Sequence, residues 1–181
     1  MRRACLMSGL ITRSPKRRDP VSFHGLYGRP LFVSRPLLDH DGLDAWVKAN
    51  GFLEPLPART FHVTVALSRI PIRQELPERD SNDLIVRAGQ RRRVVCFGGV
   101  FALTFGCAAL NRRHAEFRRV GASWDHPSYQ PHISFAIDDG RDLSMSSLTP
   151  YRGRLHFGPE SYKEPFADIA SLATQRKLMY K

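Results

Sequence analysis

With 181 residues, 42% hydrophobic and 25% charged, the chain has the composition of one globular domain long enough to bury a core. No run in it approaches the roughly 18 apolar residues that a membrane span needs. The net charge of +11 suits a phosphate-rich partner, yet seven of the cations fall in the first thirty residues against Asp19 alone. Three cysteines without CxxC spacing (Cys5, Cys96 and Cys107) exclude a disulfide framework and a structural zinc. They fit a reducing cytoplasm, and Cys96 and Cys107 are expected to be buried, inert thiols.

Residues 1–28 are basic and lack periodicity, and SPKRRDP within them has loop composition, so a disordered extension is expected. The opening MRRACLMSGLI echoes a signal peptide, but basic residues resume at Arg13 with no small-x-small cleavage site between. The folded domain is placed at 29–166. LFVSRPLL begins it as a strand closed by Pro36. Asp39 or Asp41 caps a helix running to about residue 50, with Leu43, Trp46 and Val47 as its buried stripe and Gly51 as its stop. EPLPAR is then a rigid connector into FHVTVALS. In that strand Phe61, Val63, Val65 and Leu67 point to the core, and His62, Thr64 and Ala66 to the other side.

The polar, proline-punctuated stretch from Ser68 to Gly89 is a long loop with room for a short strand at 84–86. RRRVVCFGG and VFALTFG form a hairpin turning at Gly98-Gly99. Arg91, Arg92 and Arg93 either meet a phosphate or solvate the strand entrance. A second helix over 108–120 puts Leu110, His114 and Phe117 on one face, and Gly121 stops it. His114 is read as a packed helix histidine. ASWDHPSYQ leads into PHISFAID, and Leu155 and Phe157 alternate in a final strand. Residues 167–181 form a tail or short helix, patterned by Ile169, Ala170 and Leu172 after Phe166.

His62-x-Thr64 and His132-x-Ser134 repeat one pattern seventy residues apart, and Gly51 and Gly121 each precede their histidine by eleven positions. Strand, helix, glycine stop and His-x-hydroxyl strand therefore occur twice in order, an internal duplication. The fold class is α+β, with two pseudo-symmetric βαβ-type halves. If the halves pair about a twofold axis, both polar faces line one central cleft. An imidazole, with an unperturbed pKa near ~6.5, serves as base or acid near neutrality. Cleavage of a phosphodiester needs both, and the Thr64 and Ser134 hydroxyls can donate to the non-bridging oxygens. The scheme calls for no metal or other cofactor, and the chain has no HExxH, no acidic cluster and no Cys/His ligand spacing.

The twinned motifs resemble those of the 2H phosphoesterase superfamily, whose relatives include LigT-like RNA phosphodiesterases. LFVSRPLL, FHVTVALSRIP, RRHAEFRRVGASWDHPSYQPHISF and PYRGRLHFGPE resemble its phage branch. That branch includes anti-CBASS proteins, which degrade cyclic oligonucleotide alarm signals, and C-terminal domains of phage portal-type proteins. The resemblance implies a bilobal 2H fold and a cyclic di- or trinucleotide, of the cGAMP or cyclic tri-adenylate kind, opened at a 3′–5′ bond in the bacterial host cytoplasm. It implies no membrane and no obligate protein partner.

Five further residues are candidate substrate contacts. Arg35 on the first strand reaches a phosphate, and Trp124 and Tyr129 flank the second motif as platforms for a base. Tyr151 and Glu160 lie in the family-like closing segment, where a glutamate either accepts from a base amino group or sits in a surface turn. Ser134 stands where threonine is commoner, which keeps the hydroxyl and loosens its rotamer. Two alternatives stay open: a phosphodiesterase for RNA 2′,3′-cyclic ends or 2′–5′ linkages, and a non-catalytic nucleotide-binding or virion-associated module.

Overall fold

The computed structural model describes residues 30–89, 91–140 and 148–164. The sequence-derived extension at 1–28 and tail at 167–181 lie outside them. Among the described residues nine strands and two α-helices follow in order, as β1 (Leu31–Pro36), α1 (Asp41–Ala49), β2 (Glu54–Pro55), β3 (His62–Ser68), β4 (Leu84–Val86), β5 (Arg92–Phe97), β6 (Val100–Phe105), α2 (Ala108–Arg119), β7 (His132–Ile137), β8 (Leu155–Phe157) and β9 (Ser161–Lys163). They form one sheet ordered β3-β1-β9, a second ordered β2-β7-β6-β5, and the small pair β4-β8.

Strand, helix and strand recur as expected, with antiparallel ladders within each half: β1 pairs with β3 and β6 with β7. Each helix reaches across, α1 packing on β7 and α2 on β3, so each half covers the other half's central strand. The apolar side chains of both halves merge into a single core. Leu43, Val47, Phe61, Val63, Leu110, Phe117, Ile133 and Phe135 lie within it. Gly51 and Gly121 end the two helices at φ +72° and +94°, a backbone state open to glycine at little cost.

Both central strands break their alternation at the same place. Ser34 and Val33 pair with Thr64 and Ala66, leaving Val65 as an extra residue; Ala102 and Phe101 pair with Ser134 and Ala136, leaving Phe135 as one. Each is a β-bulge. It turns Val65 and Ala66 both inward and leaves Leu67 half exposed, which corrects the strict alternation expected for FHVTVALS.

Other expectations shift for local reasons. His40, not an aspartate, stands at the N-cap position of α1 and makes no side-chain cap bond, while Asp39 accepts the backbone N–H of His156 at 2.8 Å. Glu54–Pro55, expected only to connect, pairs with β7, and Ser161–Lys163 adds a strand beside β1 that its three residues did not announce. Cys96 is exposed on β5 and Cys107 half-buried, so neither is the deeply buried thiol expected. The stretch from Ser68 is largely irregular but pinned: Ile72 is buried, and the Pro77 carbonyl accepts from the Tyr162 hydroxyl at 3.0 Å.

Candidate active site

His62 and His132 open β3 and β7, each half-exposed on the face opposite the core. In both, Nδ1 lies 2.8 Å from the carbonyl oxygen two residues earlier, Thr60 for one and Gln130 for the other. A carbonyl only accepts, so Nδ1 carries the hydrogen, and in the neutral ring Nε2 is the nitrogen without one. The tether survives protonation of Nε2, which lets the ring hold its orientation in both states. An aromatic ring stands against each imidazole: Phe32 at 5.8 Å, edge-on, and Phe97 at 5.3 Å.

Directly paired residues of an antiparallel ladder share a face. Ser34 therefore lies beside Thr64, with Ser161 beyond it, giving the first half a row of three hydroxyls. The second half sets Thr104 and then Arg93 beside His132, and Ala102 and then Val95 beside Ser134. The two motifs are also tied directly. Tyr129, three residues before His132, donates its hydroxyl to the Thr64 carbonyl at 2.8 Å.

Four of the five expected substrate contacts are engaged elsewhere. Arg35 is 2% exposed and pairs with Val63, on the core side. It donates to the carbonyls of Asn82 (2.8 Å) and Gly158 (3.2 Å) and to the Asp80 carboxylate. Glu160, fully buried, is neither a base acceptor nor a surface turn. Its two oxygens accept a fork from Arg113 at 2.8 and 2.7 Å, and one also accepts the Asp80 backbone N–H at 3.0 Å.

Tyr129 stacks on His114, with centroids 4.2 Å apart and planes 4° apart, and burial pushes its hydroxyl well above the usual phenol range. Tyr151 packs between Gly42 and Gly153, where an added Cβ would fall 2.6 and 2.1 Å from its hydroxyl, with the Arg92 guanidinium over its ring. The fifth, Trp124, is half-exposed and edge-on to His114 at 4.7 Å.

Thus the structure unites Arg35 with Glu160, and Tyr129 with Trp124 and Thr64, while Tyr151 stands apart near α1. A cavity of about 280 Å³, lined by Arg35, Asp80, Arg112, Arg113 and Glu116 among others, lies on the helix side of β1 rather than at the histidines.

Sequence patterning does not single out Ser34, Thr104 and Ser161, which register places beside the motifs, or Phe32 and Phe97, whose rings stand against the two imidazoles. In the sequence Arg93 stands out only as part of a basic run. Alternation through RRRVV would have separated Arg93 from buried Arg92, which donates to the carbonyls of Tyr151 and Arg87, both at 3.1 Å.

A family model described as anti-CBASS protein Acb1 matches residues 29–170. The chain belongs to the anti-CBASS protein Acb1 family. Acb1 of Caulobacter sp. (strain RHG1) is 41% identical over 143 residues, which are 75% of this chain and 22% of that protein. Its counterpart from Sphingomonas paeninsulae is 38% identical over 148 residues, 77% and 24% of the two chains. That of Acinetobacter phage Ac42 is 30% identical over 112 residues, 56% and 69%. The chain thus spans about a quarter of the length of the two bacterial relatives.

Among solved structures, E. coli LigT in its apo form superposes with a TM-score of 0.50 at 15% identity, covering 75% of this chain and 87% of that one. A structure described as a phosphoesterase gives 0.52 at 13% identity, with coverage of 75% and 87%. At such identities the likeness is one of fold, and the Acb1-family chain shares the two-half α+β fold of E. coli LigT. Among the described residues no helix is long and apolar enough to cross a membrane, and no His, Cys, Asp and Glu cluster of a kind that holds a metal ion occurs.

Proposed function

We propose that this chain is a metal-independent phosphodiesterase that opens a 3′–5′ bond of a cyclic di- or trinucleotide signal, as counter-defence in the bacterial host cytoplasm. The observation that carries the reading is the matched tether of His62 and His132. Both rings are held through Nδ1 at 2.8 Å, and in this reading both exchange protons at Nε2. One imidazole takes the proton of an attacking oxygen, from water or a ribose 2′-hydroxyl. The other, protonated, gives its proton to the oxygen leaving phosphorus. Thr64 and Ser134 donate to the non-bridging oxygens as negative charge grows on them. Attack by the 2′-hydroxyl yields a cyclic phosphate end and attack by water a linear one; both balance without a further reactant.

Membership of the anti-CBASS protein Acb1 family supports the counter-defence role, and the ring-shaped substrate is what the resemblance to that branch implies. Nucleotide binding by the fold is supported by E. coli LigT, solved in complex with 3′-AMP at a TM-score of 0.51. Arg93, across β6 from His132, offers a cation for a second phosphate of the ring.

The test is mass spectrometry of a mixed panel including 3′,3′-cGAMP and cyclic tri-adenylate, incubated with purified protein and EDTA. Linear product is expected, and its end group names the nucleophile. A panel left intact while a terminal RNA 2′,3′-cyclic phosphate is turned over would replace this reading with the RNA one. Binding without turnover of either would make the chain a sequestering module.

A further inference from the structure

We infer that Tyr129 and His114 are positioning residues for the first motif, holding the bulge of β3 so that Thr64 presents its hydroxyl at a fixed angle. The inference rests on the phosphodiesterase reading and deepens it.

β3 is an edge strand, so its outer carbonyls need partners from outside the sheet. At the bulge the Thr64 carbonyl accepts from the Tyr129 hydroxyl and the next carbonyl, of Val65, accepts from His114 Nδ1–H, both at 2.8 Å. The two donors brace one another by stacking, and Trp124 closes edge-on against both, at 4.7 Å from His114 and 5.6 Å from Tyr129. A bulge re-aims the side chains next to it, so the tilt of these two peptide planes decides where the Thr64 hydroxyl points.

The second half carries the same bulge but solves it differently. There β2 covers the edge of β7, and the Phe135 carbonyl accepts the backbone N–H of Leu56 at 2.8 Å. Ser134 is therefore steadied by main chain, and Thr64 by two side chains that substitution can remove. Burial keeps the Tyr129 phenol protonated and the His114 ring neutral, which leaves both donors in place at working pH.

A small misplacement of a catalytic group costs up to about a hundredfold in rate, and a lost brace less. Tyr129→Phe is expected to lower kcat about tenfold with KM unchanged. In a Thr64→Ala background the same change should have under about twofold effect, while in a Ser134→Ala background the full tenfold loss should persist. His114→Gln, whose amide can still donate to Val65, should retain more activity than His114→Ala.

Equal losses in both alanine backgrounds would reduce Tyr129 to a structural residue and overturn the inference. A raised KM at unchanged kcat would overturn it too, by making Tyr129 a substrate contact. The Thr64 methyl resonance in threonine-labelled protein gives a readout independent of turnover. It should move in Tyr129→Phe and stay put in Ser134→Ala. If the wild-type protein turns over nothing, the phosphodiesterase reading fails while that shift still tests the brace, and an unmoved methyl overturns the brace.

Discussion

The two halves of this molecule carry the same His-x-hydroxyl pair on differently built supports. Each presents a histidine tethered through Nδ1, a hydroxyl two residues on, and a bulge one residue further. Around the second motif the support is main chain, with β2 covering one edge of β7 and β6 the other. Around the first it is side chains and buried charge: His114 and Tyr129 on one edge of β3, and beyond β1 the network of Arg35, Asp80, Arg113 and Glu160. The His-x-hydroxyl pairs are alike in the two halves, while the groups that satisfy the backbone beside them differ.

The strongest way to break that comparison is to remove the shared chemistry. His62→Ala and His132→Ala should each lower turnover by about 10²–10⁴-fold with the fold intact, read by steady-state kinetics and circular dichroism. A loss confined to one of them would mean that only one half works on the substrate.

The next effect concerns stability and belongs to the first half alone. Glu160→Ala strips two guanidinium groups of a fully buried partner and should cost about 3–5 kcal/mol in urea denaturation. Two members of that network, Asp80 and Arg113, are held in their ionised forms by their neighbours. Burial opposes ionisation of Asp80, but the Asn82 N–H and Arg35 outweigh it and keep the carboxyl below its usual range. Arg113 is likewise held charged, because its bonds to Glu160 and Glu116 outweigh burial.

The sequence revealed the duplication because histidines, glycines and apolar runs share one offset, and periodicity placed both helices within a residue or two. The buried network was hidden by distance along the chain: Glu160 meets Arg113 from 47 positions away. The bulges were hidden because Ala66 and Ala136 fit either face of a strand. Tyr129 looked like a base platform because an aromatic beside a catalytic motif gives no sign that α2 will offer His114 as its stacking partner. Arg35 misled for the opposite reason: its place on β1 was right, and only the register with Val63 shows that it faces inward.

A smaller effect separates the two hydroxyls. Thr64→Ser should reduce kcat a few-fold by freeing the side chain about χ1, and Ser134→Thr should leave kcat equal or somewhat higher, compared side by side at saturating substrate. The smallest is a pH dependence of stability seated in the first half. Burial, reinforced by Arg118, lowers the affinity of His114 for a proton against the opposing bond to Val65. The unfolded chain then binds that proton more readily than the folded one. The contribution is complete above the unfolded pKa of about 6.5 and is lost as pH falls through the lower folded value. Melting curves between pH 7.5 and 5 should show a decline that is shallower in His114→Gln.

The claim that two dissimilar halves make one acid–base site is tested most directly by single-turnover cleavage of a cyclic oligonucleotide by His62→Ala, His132→Ala and the double variant. Groups that act as a unit are not additive, so the double variant should be no more than about tenfold slower than either single one. Losses that multiply, with the double variant slower by the product of the two, would show that the histidines act independently and contradict the account.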